Sequence, residues 1–225
     1  MKEKVAQAIA QKVQNGQILG IGTGSTVDLA ISAIVQRVQS EGLRIKALTT
    51  SIESTWGCEQ AGIEVLNNLY KGELDWGFDG ADEVDPELRL IKGKGGAMYQ
   101  EKIVAGLCKY FIAIVDESKL VKNLGERMPV PVEFTPRAYS LVERGLRLLG
   151  AHEIVLRQAT GKHGAIITEE GNLIFDVRFK VISATLEREI KSIVGVIESG
   201  IFTSFTDEVL IAGVAGVVSK KRVVK

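Results

Sequence analysis

A chain of 225 residues, 45% apolar and 25% charged, carries enough hydrophobic material for a buried core in one large domain or two unequal ones. Lys plus Arg and Asp plus Glu both number 28, so the formal charge is zero and no global basic field exists to hold a nucleic acid or an anionic membrane. The 2 cysteines, Cys58 and Cys108, form no CxxC pattern, which argues against both a disulfide framework and a thiolate metal site.

The opening MKEKVAQAIAQKVQNG sets Val5, Ile9 and Val13 on one stripe and predicts an amphipathic helix rather than a cleavable signal. No apolar run reaches membrane-spanning length, so a cytoplasmic protein with no membrane partner is expected. β-like runs at 17–21, 43–49, 63–66, 74–78 and 110–115 alternate with helical segments at about 26–39, 52–61 and 96–108. That order predicts the α/β class: a Rossmann-like, open, mostly parallel sheet flanked by helices. At MPVPVEF the texture changes, with Pro129, Pro131 and Pro136 close together, and a second, smaller α+β domain is expected to begin there. It reads as a helix (137–149), β-like segments near 151–157, 165–168 and 173–177, and a helix near 186–194. The closing EVLIAGVAGVV is expected to return to the first sheet. The expected division is therefore 1–126 with 200–225 as the ligand-binding domain and 127–199 as the small α+β domain.

Three segments that follow predicted strands carry chemical interest. In GIGTGSTVDLA, residues 20–30, an apolar strand enters a Gly/Thr/Ser turn from which a helix leaves. Glycines let backbone N–H groups approach an anion, hydroxyls add donors, and the helix N-terminus supplies a favourable dipole. The loop lacks the Gly-Lys-Ser/Thr of a Walker A motif, and a dinucleotide G-x-G-x-x-G starting at Gly20 fails at Ser25. A phosphate cradle and a plain glycine turn with a Ser/Thr helix cap both remain open.

The second segment bears Asp79, Asp82, Glu83 and Asp85 directly after a strand. Counted as a calcium loop from Asp79, it puts Ala81 third and Val84 sixth, where a ligand and a glycine are required. The 2 histidines, His152 and His163, lie far along the chain, so no transition-metal cluster forms from neighbours in sequence. A turn built of Asp and Gly is the plain alternative. If 96–108 is helical, Glu101 projects into the apolar arc of Ala97, Val104, Ala105 and Cys108, while Tyr99, Lys102 and Lys109 take the polar side. An inward carboxylate is costly unless paired or raised in pKa, and a raised pKa suits a general base near neutrality. A buried structural ion pair is the alternative, and Lys92 and Lys94 are candidates to pair with it or to bind an anion.

The third segment, VDESKL, delivers Asp116, Ser118 and Lys119 to the end of the most apolar strand. In an open α/β sheet, ligands bind outside the carboxyl ends of the strands, so the three segments together suggest a site for a small phosphorylated, polyhydroxylated molecule. With no histidine, thiolate or metal cluster nearby, proton chemistry falls to carboxylates and lysine. A buried Glu base with cations and amides around an enediolate suits proton transfer between adjacent carbons of a sugar phosphate.

The residues also resemble a known family, ribose-5-phosphate isomerase type A. GIGTGSTV, DGADEVDP, LIKGKGGAMYQEKIVA, IVDESKLV, PVPVEFTP, EEGNLIFDV and GVIESGIF occur in the family's order and at its spacing, over nearly the whole chain. The resemblance implies interconversion of D-ribose 5-phosphate and D-ribulose 5-phosphate, with no metal and no organic cofactor. It implies that Thr23, Gly24, Ser25 and Thr26 hold the phosphate and that Asp79, Gly80, Ala81 and Asp82 line the sugar. Glu101 would shuttle the proton between C1 and C2, Asp79 would assist ring opening, and Asp82 and Lys92 would orient the substrate and support the enediolate. Gly93, Lys94 and Gly95 would complete the binding loop and Lys119 would contact the substrate. The family's members resemble homodimers or homotetramers whose second domain includes much of the interface.

Some positions depart from the family pattern. Lys94 interrupts a run that usually reads Gly-Gly-Gly, putting a side chain where only backbone is expected. TEEGN replaces a more usual Thr-Asp-Asn-Gly-Asn, and Lys2 is the nearest residue to serve as the family's N-terminal phosphate-binding lysine. Two rival classes share the general architecture. A non-catalytic sugar-phosphate-sensing domain is expected to come with a DNA-binding segment, and a sugar-phosphate deaminase is expected to bring a histidine to its site.

Overall fold

The apolar runs read from the sequence become short strands, those at 18–21, 46–49 and 76–80 ended or followed by glycine or hydroxyl residues, and the periodic segments between them become helices. The computed structural model describes residues 2–222. In chain order the elements begin α1 (Lys2–Lys12), β1 (Ile18–Ile21), α2 (Ser25–Glu41), β2 (Lys46–Thr49), α3 (Ile52–Gln60), β3 (Glu64–Val65), β4 (Trp76–Gly80), β5 (Glu83–Val84), β6 (Leu90–Ile91), α4 (Met98–Leu107) and β7 (Phe111–Asp116). They continue with β8 (Val130–Phe134), α5 (Tyr139–Leu148), β9 (Ala151–Leu156), β10 (Leu173–Phe179), α6 (Leu186–Lys191), β11 (Val196–Ser199), β12 (Ile201–Phe202), β13 (Glu208–Gly213) and β14 (Gly216–Lys221). Two compact units result: one takes in the chain up to Ala81, Gln100–Leu120 and the chain from Phe205 onward, the other Asp82–Tyr99 and Val121–Ser204.

The first unit is built on a 7-stranded sheet in the order β14-β13-β7-β4-β1-β2-β3. All neighbours are parallel except the β13–β14 hairpin at one edge. From β1 the chain moves one way through β2 and β3, and β4 then starts the other half, so the switch in strand order falls between β1 and β4. The EVLIAGVAGVV segment does return to this sheet, and its second half is an antiparallel edge strand that periodicity did not separate from the first.

Helices cover both faces. Val5, Ile9 and Val13 of the first stripe are buried with Val27, Ile31 and Ile34 of α2 against Leu19, Ile21 and Phe78 of the sheet. On the other face Val104 of α4 packs with Leu48 and Leu74. There α4 comes unusually close: Gly20 and Gly77 are partners in register, and a Cβ on Gly77 would stand 2.5 Å from the Cys108 sulfur. Glycine at both positions is what admits the helix.

The second unit holds a 4-stranded antiparallel sheet, β11-β8-β10-β9, and a 3-stranded one, β12-β6-β5. Its core includes Phe134 and Phe175, stacked with centroids 4.2 Å apart. The proline-rich MPVPVEF, read from the sequence only as a boundary, contains the interior strand β8. Proline is rare in such a strand because it cannot donate to the ladder; here the Pro131 carbonyl still accepts from Gly200 N–H at 2.8 Å. Residues 165–168, expected to be β-like, form no named strand and hold only an isolated bridge from Ala165 to Gln158. Residues 82–99, kept with the first unit in the sequence reading, cluster here because β5 and β6 pair onward to β12.

Candidate active site

In the first unit β1, β4 and β7 lie side by side and parallel, so the segments that leave their carboxyl ends emerge on one edge of the sheet. These segments are Gly22–Gly24, Ala81 after the end of β4, and the 3-10 turn Glu117–Lys119. The first two flank the switch point, where open α/β sheets bind ligands.

The glycine loop is shaped by what it must clear. A Cβ on Gly22 would collide with the Asp79 carboxyl, and Gly24 sits at φ 118, a conformation that favours glycine. Gly24 is also the residue that precedes α2, and no side chain of its own caps the helix. The Ser/Thr cap that the sequence left open is therefore not how this helix starts. Ser25 instead accepts a hydrogen bond from Lys2 Nζ at 2.8 Å, which places a cation on the loop. Thr23 behaves differently from the expected free donor: its hydroxyl lies 2.7 Å from both Thr50 Oγ1 and Ser51 Oγ. Sequence reading missed Thr50 and Ser51, whose only signal was a hydroxyl run after a strand.

Asp79, at 1% exposure, is the most enclosed acid of this unit's set. Its Oδ1 accepts from the Thr23 N–H at 3.1 Å and from the Gly80 N–H at 2.7 Å. Gly80 is half-buried and Ala81 buried beside it. Glu101 lies in the first turn of α4 with 6% exposure, on the side of the helix that carries Val104 to the sheet. The inward direction expected for it is the one observed. Lys102 corrects the sequence reading: rather than facing solvent it is 8% exposed, with Nζ 5.9 Å from the Phe205 ring centroid. Its long stem is what lets a residue on the polar side be covered.

At the end of β7, Asp116 accepts from the Ser118 N–H at 2.9 Å and opens the turn that ends in Lys119. Burial raises the Asp116 carboxyl, but the hydrogen bonds from Ser118, with Lys119 and Lys2 nearby, outweigh it and hold the group below its ordinary range. Lys2, Ser25, Asp116 and Lys119 thus share one charged neighbourhood. Thr26 is half-buried in the first turn of α2.

The second unit carries Asp82, Lys92, Gly93, Lys94 and Gly95. Asp82 Oδ2 accepts from the Lys94 N–H at 3.0 Å, closing the loop that follows β6. Lys92 is 2% exposed, its N–H donates to Gly200 O at 2.9 Å, and its Nζ lies 5.7 Å from the Phe202 ring centroid. Gly93 has φ 97. Leu88 is the only non-glycine with positive φ among the described residues, so Lys94 sits in an ordinary conformation; its side chain is exposed and the loop uses its backbone. This is why a lysine can replace glycine at that position.

The other acids have local work. Asp85 makes a turn, accepting from the Glu87 and Arg89 N–H groups and pairing with Arg89 Nε at 2.6 Å. Glu83 does something the sequence did not suggest: fully buried, it accepts from the N–H groups of Gly125, Arg127 and Met128 at 2.6 to 2.8 Å and anchors that distant loop. His152 and His163 are exposed in the second unit.

These features define a class: an α/β protein with a glycine–hydroxyl loop and a buried carboxylate at the switch point of a mostly parallel sheet. Comparison with known proteins gives the family. Residues 46–216 match the model of ribose 5-phosphate isomerase A (phosphoriboisomerase A). The chain is 42% identical to ribose-5-phosphate isomerase A of Prochlorococcus marinus (strain NATL1A), over 99% of this chain and 98% of that one. It superposes on the structure of ribose 5-phosphate isomerase A from Methanocaldococcus jannaschii with a TM-score of 0.94 at 43% identity, covering 98% and 97% of the two chains. A D-ribose-5-phosphate isomerase solved in complex with phospho-erythronic acid matches with the same TM-score at 34% identity, again over 98% and 97%. The chain belongs to the ribose 5-phosphate isomerase A family.

Proposed function

We propose that this chain interconverts D-ribose 5-phosphate and D-ribulose 5-phosphate, the aldose–ketose isomerisation of the non-oxidative pentose phosphate pathway. The observation that carries the reading is the buried Asp79 held by Thr23 N–H beside a glycine–hydroxyl loop with a lysine on it. The phosphate rests on the Thr23–Thr26 loop, met by backbone N–H groups at the start of α2 and by Lys2. Asp79 takes the proton of the C1 hydroxyl as the C1–O4 bond of the furanose breaks, and returns it to O4, which becomes a free hydroxyl. Glu101 removes the C2 proton of the open aldose, the C–H pair forms a C1–C2 double bond while the carbonyl pair moves to O1, a proton passes from O2 to O1 in the enediolate, and the same carboxyl returns its proton to C1 as C2 becomes the ketone. Asp82, Lys92 and the Gly93–Gly95 backbone orient the sugar and offset the charge that develops on its oxygens, and Lys119 contacts the substrate. Burial supports a base role for Glu101 by keeping bulk water away from the carboxyl that carries the proton.

A homodimer or homotetramer is proposed on the family resemblance, with large apolar side chains exposed on the second unit, Leu148, Val181 and Val194, as support. Cytoplasmic residence is proposed on the metabolic role; among the described residues no helix is long and apolar enough to cross a membrane. The test is to incubate the purified protein with ribose 5-phosphate and a chelator and to follow ketose formation. Steady turnover is expected; none at micromolar enzyme overturns the isomerase reading.

A further inference from the structure

Arg157 follows β9 and stands 64 residues from Gly93 in sequence, yet it is a structural part of the Lys92–Gly95 loop. Its Nη1 donates to Gly93 O at 2.8 Å and to Lys94 O at 3.0 Å. Its Nε and Nη2 are spent on the two oxygens of Asp176, at 2.9 and 2.5 Å. The guanidinium therefore bridges a carboxylate on β10 and two successive carbonyls of the loop, which its planar fork permits and a lysine ammonium does not. The other side of the loop is held by Asp82, which accepts from the Lys94 N–H. Lys94 is thus gripped at its N–H by one acid and at its C=O by Arg157.

The clamp is itself anchored. Arg157 N–H donates to Ile174 O at 2.9 Å, and Arg157 O accepts from the Ile166 N–H at 3.0 Å, so the residue is fixed in the β9–β10 hairpin. The pair is largely covered, with side-chain exposures of 14% for Arg157 and 23% for Asp176. Loss of either partner would leave a desolvated charge or two unmet carbonyls.

We propose that Arg157, oriented by Asp176, is a positioning residue for the isomerisation: it sets the backbone of the loop that carries Lys92 and Lys94, and so the geometry in which the developing enediolate charge is met. This rests on the isomerase reading above.

Arg157→Lys and Asp176→Asn are the test, read by kinetics and by amide hydrogen exchange of peptides spanning 92–97. Arg157→Lys is expected to lower kcat by about tenfold to a hundredfold, with KM changed less and the thermal midpoint of the folded protein kept. Exchange in 92–97 is expected to quicken about tenfold while α5 exchanges as before. Asp176→Asn is expected to give a smaller change in the same two readouts, and it serves as the folded variant should Arg157→Lys not fold. Unchanged exchange in 92–97, or wild-type kcat in either folded variant, overturns the inference. A wild-type enzyme that turns over no ribose 5-phosphate, with exchange in 92–97 still altered by the variants, would instead overturn the isomerase reading and leave the clamp in place.

Discussion

The backbone N–H of Thr23 donates to the carboxylate of Asp79 at 3.1 Å, tying the loop after β1 to the end of β4 across the switch point of the sheet. The contact exists because Gly22 has no side chain, and a Cβ there would overlap the carboxyl. Gly22→Ala is therefore expected to push Asp79 out of position. A shift of that size costs on the order of a hundredfold in kcat/KM, measured with ribose 5-phosphate. A variant with wild-type kinetics would show that the Asp79 position does not matter to turnover.

Glu101 is expected to be required for chemistry and not for binding. Glu101→Gln keeps the volume and removes the base, so kcat should fall by about a hundredfold to ten-thousandfold while the dissociation constant for ribose 5-phosphate, from calorimetry, stays close to that of the wild type. Loss of binding or of folding in this variant would mark Glu101 as a structural acid.

Lys2 reaches Ser25 Oγ at 2.8 Å and adds charge to the loop assigned to the phosphate. Replacing it with Ala should raise KM by roughly tenfold and leave kcat nearly unchanged, and the penalty should shrink as salt rises and screens the exposed ammonium. An unaltered KM at low salt would remove Lys2 from the site.

Glu133 in β8 accepts from Thr168 Oγ1 at 2.8 Å and Asn172 Nδ2 at 2.9 Å, the TEEGN turn. Burial raises its carboxyl above the ordinary 4.5, with Glu170 and Glu198 adding to the rise and those two hydrogen bonds only partly offsetting it. Above 4.5 the folded protein thus holds this proton when the unfolded chain has lost it, so the group's contribution to stability is present at lower pH and declines as pH rises through the folded value. Glu133→Gln, which can still accept from both donors, removes that slope. Its urea midpoint relative to wild type should improve as pH rises above 4.5 and level off once the folded carboxyl has ionised, and a difference independent of pH would refute the assignment.

The α/β alternation, the inward Glu101 and the stripe of Val5, Ile9 and Val13 could be read from the chain because each depends on the spacing of apolar residues within one element. The acid cluster was only partly readable: Asp85 finishes its own turn, a local matter, but Glu83 serves a loop 42 to 45 residues away, which no local pattern encodes. β8 was hidden by its prolines, since strand propensity is judged by the ladder a residue can make, and Pro131 uses its carbonyl alone. Lys102 was misplaced because periodicity gives the direction of a side chain and not what lies over it.

Sequence by itself determined the family and the α/β alternation of the first unit, and it named the candidate acid, base and anion-binding residues, since motif identity and hydrophobic period are properties of the chain alone. Tertiary structure decided which partners fix those residues. The Thr23 hydroxyl is taken up by Thr50 and Ser51, 27 and 28 residues on, and the Lys92–Gly95 loop by Arg157, 64 residues from Gly93. The reason is physical: a hydrogen bond is made where strand pairing and packing bring donor and acceptor within about 3 Å, and that proximity is set by the fold as a whole and not by neighbours in sequence.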